Sequence, residues 1–345
     1  MTIENLKETL HYIDNKKNKR KNNPMKKYIF IIAFAFTLMA NSQEFKLSPY
    51  TQYLVENTFA ISPAYAGIDD VHKLRLSGVF QWVGMKNAPR TQNISYDTRL
   101  NEQTGLGIIL YNDTNGATQQ MGGQLSYAYH LTLSDADEEY LSLGISYKFN
   151  HFKISTENFG DNGYGTGQDD PHVGASQSTS NHNFEVGALY RVERYFVGVN
   201  ISNILNKNIE IFADTEPIKL RNYYAYTGYT FVSDSEEYEY EPSLYFKYFE
   251  GDGRSVSDLN FKVRKITDDG YMWAGINSRF LNDQGFNPLS ISPLLGLKKD
   301  KFYVGMGYQF NINEAVDLNH SGTPLLVLGY DFDAGRYKTS WSSRK

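Results

Sequence analysis

Residues 120–133 read Gln-Met-Gly-Gly-Gln-Leu-Ser-Tyr-Ala-Tyr-His-Leu-Thr-Leu. Met121, Leu125, Tyr127, Tyr129, Leu131 and Leu133 alternate with Gln124, Ser126, Ala128, His130 and Thr132, so an extended chain turns one face to an apolar medium and the other to a polar one. Tyr140 to Phe149 repeats the pattern, with Leu141, Leu143, Ile145, Tyr147 and Phe149 against Ser142, Gly144, Ser146 and Lys148. Phe302 to Phe310 does so again. Period-two segments fall near 71–82, 91–100, 105–112, 119–133, 138–153, 182–192, 194–203, 220–232, 240–250, 256–267, 271–281, 289–299, 302–310 and 324–332. They amount to about 14 strands, an even number, as single-chain bacterial barrels have.

The connections supply an independent test. Those near 101–104, 134–137, 193, 233–239, 268–270 and 300 are short, and those between them are mostly longer, with 154–181 the longest. Short periplasmic turns alternating with longer extracellular loops are the habit of outer-membrane barrels, and one miscounted strand would scramble that parity. The expected fold is therefore all-β, a single transmembrane antiparallel β-barrel over residues 71–332, with outer-membrane lipid against its wall.

Composition agrees. The 345 residues include 27 Tyr, 21 Phe, 28 Gly and no Cys, and the mean hydropathy is −0.50. A helical membrane protein needs about 18 or more consecutive apolar residues, which nothing after residue 42 supplies, whereas a barrel needs only every second residue apolar. Without cysteine there are no disulfides, thiolate chemistry or lipid-anchored Cys. A net charge of −5 with no long basic run after residue 42 argues against nucleic acid. Lys73, Arg75, Asp97, Arg99, Lys148, Glu185, Arg191, Lys262, Arg264 and Arg279 share the register opposite the apolar one. A charge facing mid-bilayer costs about 2–4 kcal/mol, so this sorting separates lumen from lipid. Mixed signs suit internal ion pairs or a plug as well as an open channel.

The ends of the chain read as follows. Met25-Lys26-Lys27, the apolar run Tyr28 to Ala40 and the small residues Ala40-Asn41-Ser42 form a Sec-type signal peptide over 25–42. Residues 1–24 are then expected to be a non-native or mis-assigned extension, 43–70 a periplasmic or plug segment before the barrel, and 333–345 a polar tail. Tyr111, Tyr140, Phe152, Tyr195, Phe231, Phe249, Tyr271 and Phe310 lie near strand ends, where a girdle of interfacial aromatics is expected.

No catalytic constellation emerges. The histidines His11, His72, His130, His151, His172, His182 and His320 have no Gly-x-Ser-x-Gly elbow beside them, and His130 falls on the inner face of a strand. The stretch Asp161 to Asp170 offers oxygen ligands and Gly turns but lacks EF-hand spacing, which favours a solvated loop over a Ca²⁺ site. The expectation is no enzyme, no cofactor and no metal.

Particular residues carry more than a pattern. Ser48-Pro49-Tyr50-Thr51-Gln52-Tyr53, Asn57 and Ile61-Ser62-Pro63-Ala64-Tyr65-Ala66-Gly67 resemble the opening signature of the PorP/SprF family, with Ser62 where Asn is usual. Gln81-Trp82-Val83-Gly84 and Ala88-Pro89-Arg90-Thr91-Gln92 continue it, as do Gly105-Leu106-Gly107, Asn112-Asp113, Gly116, Tyr195 to Val199 and Ile201-Ser202-Asn203. The likeness weakens towards Gly322 to Phe332.

The resemblance implies an outer-membrane component of the Bacteroidetes type IX secretion system, needed for secretion or surface retention of a cognate protein such as a gliding adhesin. It implies as partners that secreted surface protein and a periplasmic peptidoglycan-binding protein of the machinery. A passive porin is the rival reading. Gln52, Tyr53, Asn57, Pro63, Tyr65, Gly67, Gln81, Trp82 and Pro89 stand as the candidate partner or plug signature. Pro63 fixes φ and Gly67 permits φ > 0, so the run forms an elbow, and packing at the barrel floor competes with partner docking as its role.

Overall fold

The computed structural model describes residues 56–69, 71–81, 88–155, 177–205, 221–312 and 322–333. All belong to the second of two units in the chain, Leu47–Lys345. The expected signal peptide, the extension before it, Gln52, Tyr53, Trp82, the stretch Asp161 to Asp170 and all of the tail after Asp333 lie outside the described residues.

Fourteen antiparallel strands form one closed sheet. They are β1 (Val71–Phe80), β2 (Arg90–Arg99), β3 (Thr104–Asn115), β4 (Thr118–Ser134), β5 (Glu139–Ile154), β6 (Gln177–Val192) and β7 (Tyr195–Ser202). β8 (Asn222–Tyr229) resumes after Thr230 as Phe231–Val232, and both pieces pair with β9 (Tyr238–Phe249). β10 (Arg254–Thr267), β11 (Gly270–Leu281), β12 (Asn287–Lys299), β13 (Phe302–Asn311) and β14 (Thr323–Asp333) complete the wall. Each strand pairs with its neighbours in sequence, and β14 returns to β1 in a register running from Val71 opposite Asp333 to Val79 opposite Leu325. Closure leaves no unpaired edge within the bilayer, where an unpaired backbone group costs several kcal/mol.

The alternation sorts as the sequence requires. Leu125, Leu143, Ile145, Val199, Leu295 and Phe302 point outward and are 44–66% exposed in the absence of lipid. Ser126, His130, Ser142, Ser146 and Asn200 point inward and are buried. The inward charges are largely paired across strands. Arg279 grips Asp258 with two bonds of 2.6 Å, Arg75 reaches Asp331 at 2.6 Å and Lys148 reaches Glu185 at 2.9 Å.

Three local readings change. β6 starts at Gln177, where the alternation had suggested 182, because Gln177 to Asn181 pairs with Asn150 to Ile154 while Ser178 to Asn181 carries polar side chains on both faces. A strand wetted on both sides has no hydrophobic period to find. β3 and β4 likewise run to Asn115 and from Thr118, reducing an expected loop to Gly116 and Ala117. The aromatic girdle is also composed differently. Tyr195, Phe231 and Phe310 do face outward, but Tyr140 packs under Arg191 in the lumen and Tyr271 bonds a luminal carboxylate. Tyr111, Phe152 and Phe249 share the luminal register with Ile109, Asn150 and Lys247. Outward aromatics such as Tyr127, Tyr147, Phe149, Phe184 and Tyr229 take their place.

The wall predicts its own mutational asymmetry. Leu143→Arg or Val199→Arg, facing lipid, should cost about 2–4 kcal/mol of folding free energy. Ser142 and Asn200 on the opposite register are no neutral control, because both are at most 2% exposed beneath the segment that crosses the lumen. Asn277, half-buried on the luminal face of β11, is the suitable one. Asn277→Arg should cost under about 1 kcal/mol in detergent or liposome unfolding titrations, and equal losses at both faces would reverse the assigned facing.

Candidate functional site

Before β1 the chain crosses the lumen at the end that bears the short turns. Two 3₁₀ turns, Thr58–Ala60 and Pro63–Tyr65, fold it. The second starts as a helix should. Pro63 occupies the first position, where its missing N–H is no loss, and the Ser62 hydroxyl accepts from the Ala64 N–H at 3.3 Å. Ser and Asn are equally good caps, so Ser62 keeps the role that the more usual residue would fill.

Strands on both sides of the lumen hold this segment. On β2, the Asp97 carboxylate accepts from the Gly67 N–H at 3.0 Å, and Arg99 donates to the carbonyls of Gly67 and Ile68 at 3.0 and 2.9 Å. On β4, His130 Nε2 lies 3.0 Å from the Ala66 carbonyl and Nδ1 lies 2.8 Å from the Ser142 hydroxyl. A carbonyl only accepts, so Nε2 carries the proton, and a neutral ring then accepts from Ser142 at Nδ1. On β7, Asn200 donates to the Ile61 carbonyl at 3.1 Å and to Glu185 at 2.7 Å. Ser95 donates to the Asn57 side chain at 3.2 Å.

Where the segment presses against the wall, the wall has glycine at four points. A methyl group at Gly105 would sit 1.9 Å from the Ala66 oxygen, at Gly107 2.2 Å from the Phe59 ring, and at Gly144 and Gly187 2.3 Å from Ala64 N and Ser62 Oγ. The apolar side chains Phe59, Ile61, Ala64, Tyr65, Ala66 and Ile68 join Ile109, Leu189, Phe196, Tyr226 and Tyr245 in one buried cluster. Tyr65 stacks on Tyr226 with ring centres 5.9 Å apart.

At the far side of the lumen the segment is anchored by a charge. Glu56 accepts from Arg264 at 2.5 Å and from Tyr271 at 2.5 Å, with Lys262 at 3.5 Å. Its φ is +55, a region that non-glycine residues seldom occupy and that costs on the order of 1–3 kcal/mol. Three converging donors hold it there. Burial alone would raise the Glu56 pKa, but Arg264 and Lys262 outweigh it and bring the carboxyl down to about 2.

The signature residues thus separate into two groups. Asn57, Pro63, Tyr65 and Gly67 belong to the crossing segment, with Pro63, Tyr65 and Gly67 buried. Gln81 and Pro89 lie at the opposite end of the β1–β2 hairpin, where the Gln81 N–H bonds the Pro89 carbonyl at 2.9 Å. A ten-residue strand, about 30 Å, stands between the groups. Glu56 escaped the sequence reading. Its only signal was an isolated acid facing the paired cations Lys262 and Arg264, which are two hundred residues away. Among the described residues no three His, Asp or Glu side chains converge as a metal site.

Known proteins now bear on this arrangement. The family model described as type IX secretion system membrane protein PorP/SprF matches residues 42–330, and the chain belongs to that family. It is accordingly a membrane component of the type IX secretion system, placed in the outer membrane by its barrel. No curated relative matches it. Among solved structures, a TodX deltaS2S3 mutant monoaromatic hydrocarbon channel is 9% identical, with a TM-score of 0.49, over 82% of this chain and 94% of that one. The toluene transporter TodX of Pseudomonas putida is 8% identical at a TM-score of 0.46, over 82% and 93%. A Pseudomonas aeruginosa FadL homologue is 10% identical at 0.45, over 76% and 90%. Nothing about this lumen follows from theirs.

The Glu56 anchor yields a measurable pH dependence. A carboxyl whose folded pKa is depressed contributes stability that is complete above its ordinary value near 4.5 and is lost as pH falls towards about 2. Hydrogen-exchange protection of residues 56–69 should therefore fall between pH 4.5 and 2, and Glu56→Gln should abolish that step. Arg264 keeps Glu239 and Lys262 keeps Glu241, so the substitution should cost about 1–3 kcal/mol of local stability rather than that of a stranded buried charge.

Proposed function

We propose that this type IX secretion barrel serves as a closed outer-membrane holder for a cognate exported surface protein, such as a gliding adhesin, and not as a conduit for it. The observation that carries this reading is the crossing segment. It fills the short-turn end of the lumen, which in this class of barrel faces the periplasm, and it is tied to β2, β4, β7, β10 and β11 by side-chain bonds. A solute passing from that end would have to break several charge-assisted bonds at once. The segment's outer surface and the residues leading into it are then what a periplasmic partner, including a peptidoglycan-binding protein of the machinery, would meet.

The rival reading, a passive porin, needs a continuous aqueous path. The luminal ion pairs and the second buried cluster of Val79, Trp273, Leu294, Tyr303, Leu325 and Val327 disfavour it. The enzyme reading has lost its best inner-face histidine, since both ring nitrogens of His130 hold structural partners.

Gly67→Val tests the holder directly. Gly67 has φ +63, and a side chain there would meet the Thr98 carbonyl at 2.4 Å and the Gly105 backbone at 2.8 Å, so conformation and space both forbid it. The variant should stay inserted and heat-modifiable on gels while the segment leaves the lumen. Planar-bilayer recordings should show no steady conductance for the parent protein and a nanosiemens-scale one for Gly67→Val. Surface labelling of the exported protein should fall in the variant at normal barrel levels. Open-channel conductance in the parent would establish the porin reading in place of the holder.

A further inference from the structure

The outer rim is uneven. β5 and β6 stay paired from Glu139 opposite Val192 to Ile154 opposite Gln177, whereas β7 pairs with β6 only from Val192 to Glu185. The chain is led away at that height by a specified arrangement. The Ile204 N–H bonds the Phe184 carbonyl, Asn203 takes φ +57, and the Asn183 side chain then holds both the N–H and the C=O of Leu205 at 2.9 and 3.0 Å. β6 continues past this point.

Past the end of β7, the residues of β6 that aim at its side follow from the hairpin. In the tight β6–β7 hairpin Val192 faces Tyr195, and Phe184 bonds towards β7, so even-numbered residues of β6 aim their backbone groups at that side. Ser178, Ser180 and His182 therefore present N–H and C=O groups that no described residue pairs. They also stand above the bilayer. The outward register changes from Tyr147, Phe149 and Phe184 to His151, Lys153 and His182, and Ser178 lies six residues, about 20 Å, beyond Phe184.

Proteins ordinarily blunt such edges with lysine, proline, a bulge or a covering element. Ser178 to Asn183 contains neither lysine nor proline, and its register with β5 runs without a bulge. We infer that the β6 edge from Ser178 to His182 is a strand-addition site for an extended segment of the exported surface polypeptide, an inference that rests on the holder reading. Main-chain bonds supply the affinity and alternate side chains the selectivity. On β5 and β6, beside the edge, the outward register above the girdle carries Lys153, His151 and His182 and, among the described residues, no carboxylate, while Glu250 further round the rim is bonded by Arg221 and Tyr223. The segment that fits has Asp or Glu on its outward positions.

Photo-crosslinking in cells tests this. p-Benzoylphenylalanine placed at Ser178 should yield, on irradiation, an adduct whose mapped peptide lies in an extended, acid-alternating stretch of the exported protein. Ser180→Pro should abolish the adduct and lower surface display at least fivefold with the barrel intact, because the Ser180 N–H faces away from β5 and proline is tolerated there. Ser180→Thr should preserve both. An adduct within the barrel's own chain, or normal display by Ser180→Pro, would overturn the proposal. Deleting the gene separates the two levels. Display that survives deletion removes the holder reading itself, whereas display lost on deletion but normal in Ser180→Pro removes only the edge.

Discussion

Backbone hydrogen bonding in a medium without water is the constraint on which the rest of this molecule depends. No strand can end its pairing inside the bilayer, so fourteen strands close on one another through β14 and β1. Closure then forces alternation, because a continuous wall has one face in lipid and one in the lumen. Alternation in turn collects the polar and charged side chains in a confined space, where they must find partners. Arg279 with Asp258 and Arg75 with Asp331 are consequences of closure as much as stabilising features in their own right. Removing one member of such a pair is far more costly than the pair's net contribution.

The lumen offers more luminal surface than its ion pairs can fill, and the crossing segment occupies the remainder at one end. Its fit explains wall residues that otherwise look arbitrary. Gly105 and Gly144 are small because a main chain lies against them, Gly107 and Gly187 because the Phe59 and Ser62 side chains do, and Asp97, Arg99 and His130 are polar because that main chain has N–H and C=O groups to satisfy. The segment and the wall are one packing unit. Glu56, held at positive φ by Arg264, Lys262 and Tyr271, is the point where the unit stores strain.

How much of this the sequence displays depends on what kind of physics generates it. Lipid facing imposes period two on Gln120 to Leu133, so strand number, facing and the inward charges are legible, as are the inner position of His130 and an elbow at Pro63 and Gly67. The outer half of β6 is not legible, since water on both faces erases the period. Tyr140 and Tyr271 look like girdle residues by their place near strand ends, and only the register of the built strand shows them facing inward. The partner of Glu56 could not be read at all, because the bond spans more than two hundred residues and no local rule pairs an acid in a turn with a cation on a distant strand. The same holds for Ser142 and Asn200, whose place on the polar register does not show that they form the floor beneath the segment.

The two ends of the barrel therefore answer to different chemistry. At the short-turn end, clearing the lumen means giving up the bonds of Glu56, Asp97 and Arg99 together. Hydrogen bonds to charged groups contribute about 1.5–3 kcal/mol each, so spontaneous opening is rare even when their coupling is allowed for. At the long-loop end, Ser178, Ser180 and His182 aim backbone groups at a side where no described residue pairs with them, and exchanging water for a strand costs little. An exported chain held as proposed, from outside the lumen, would meet the second situation, not the first. On the proposed holder reading, that asymmetry lets a barrel with a filled floor belong to a secretion machine, engaging its cargo at the rim and not through the floor.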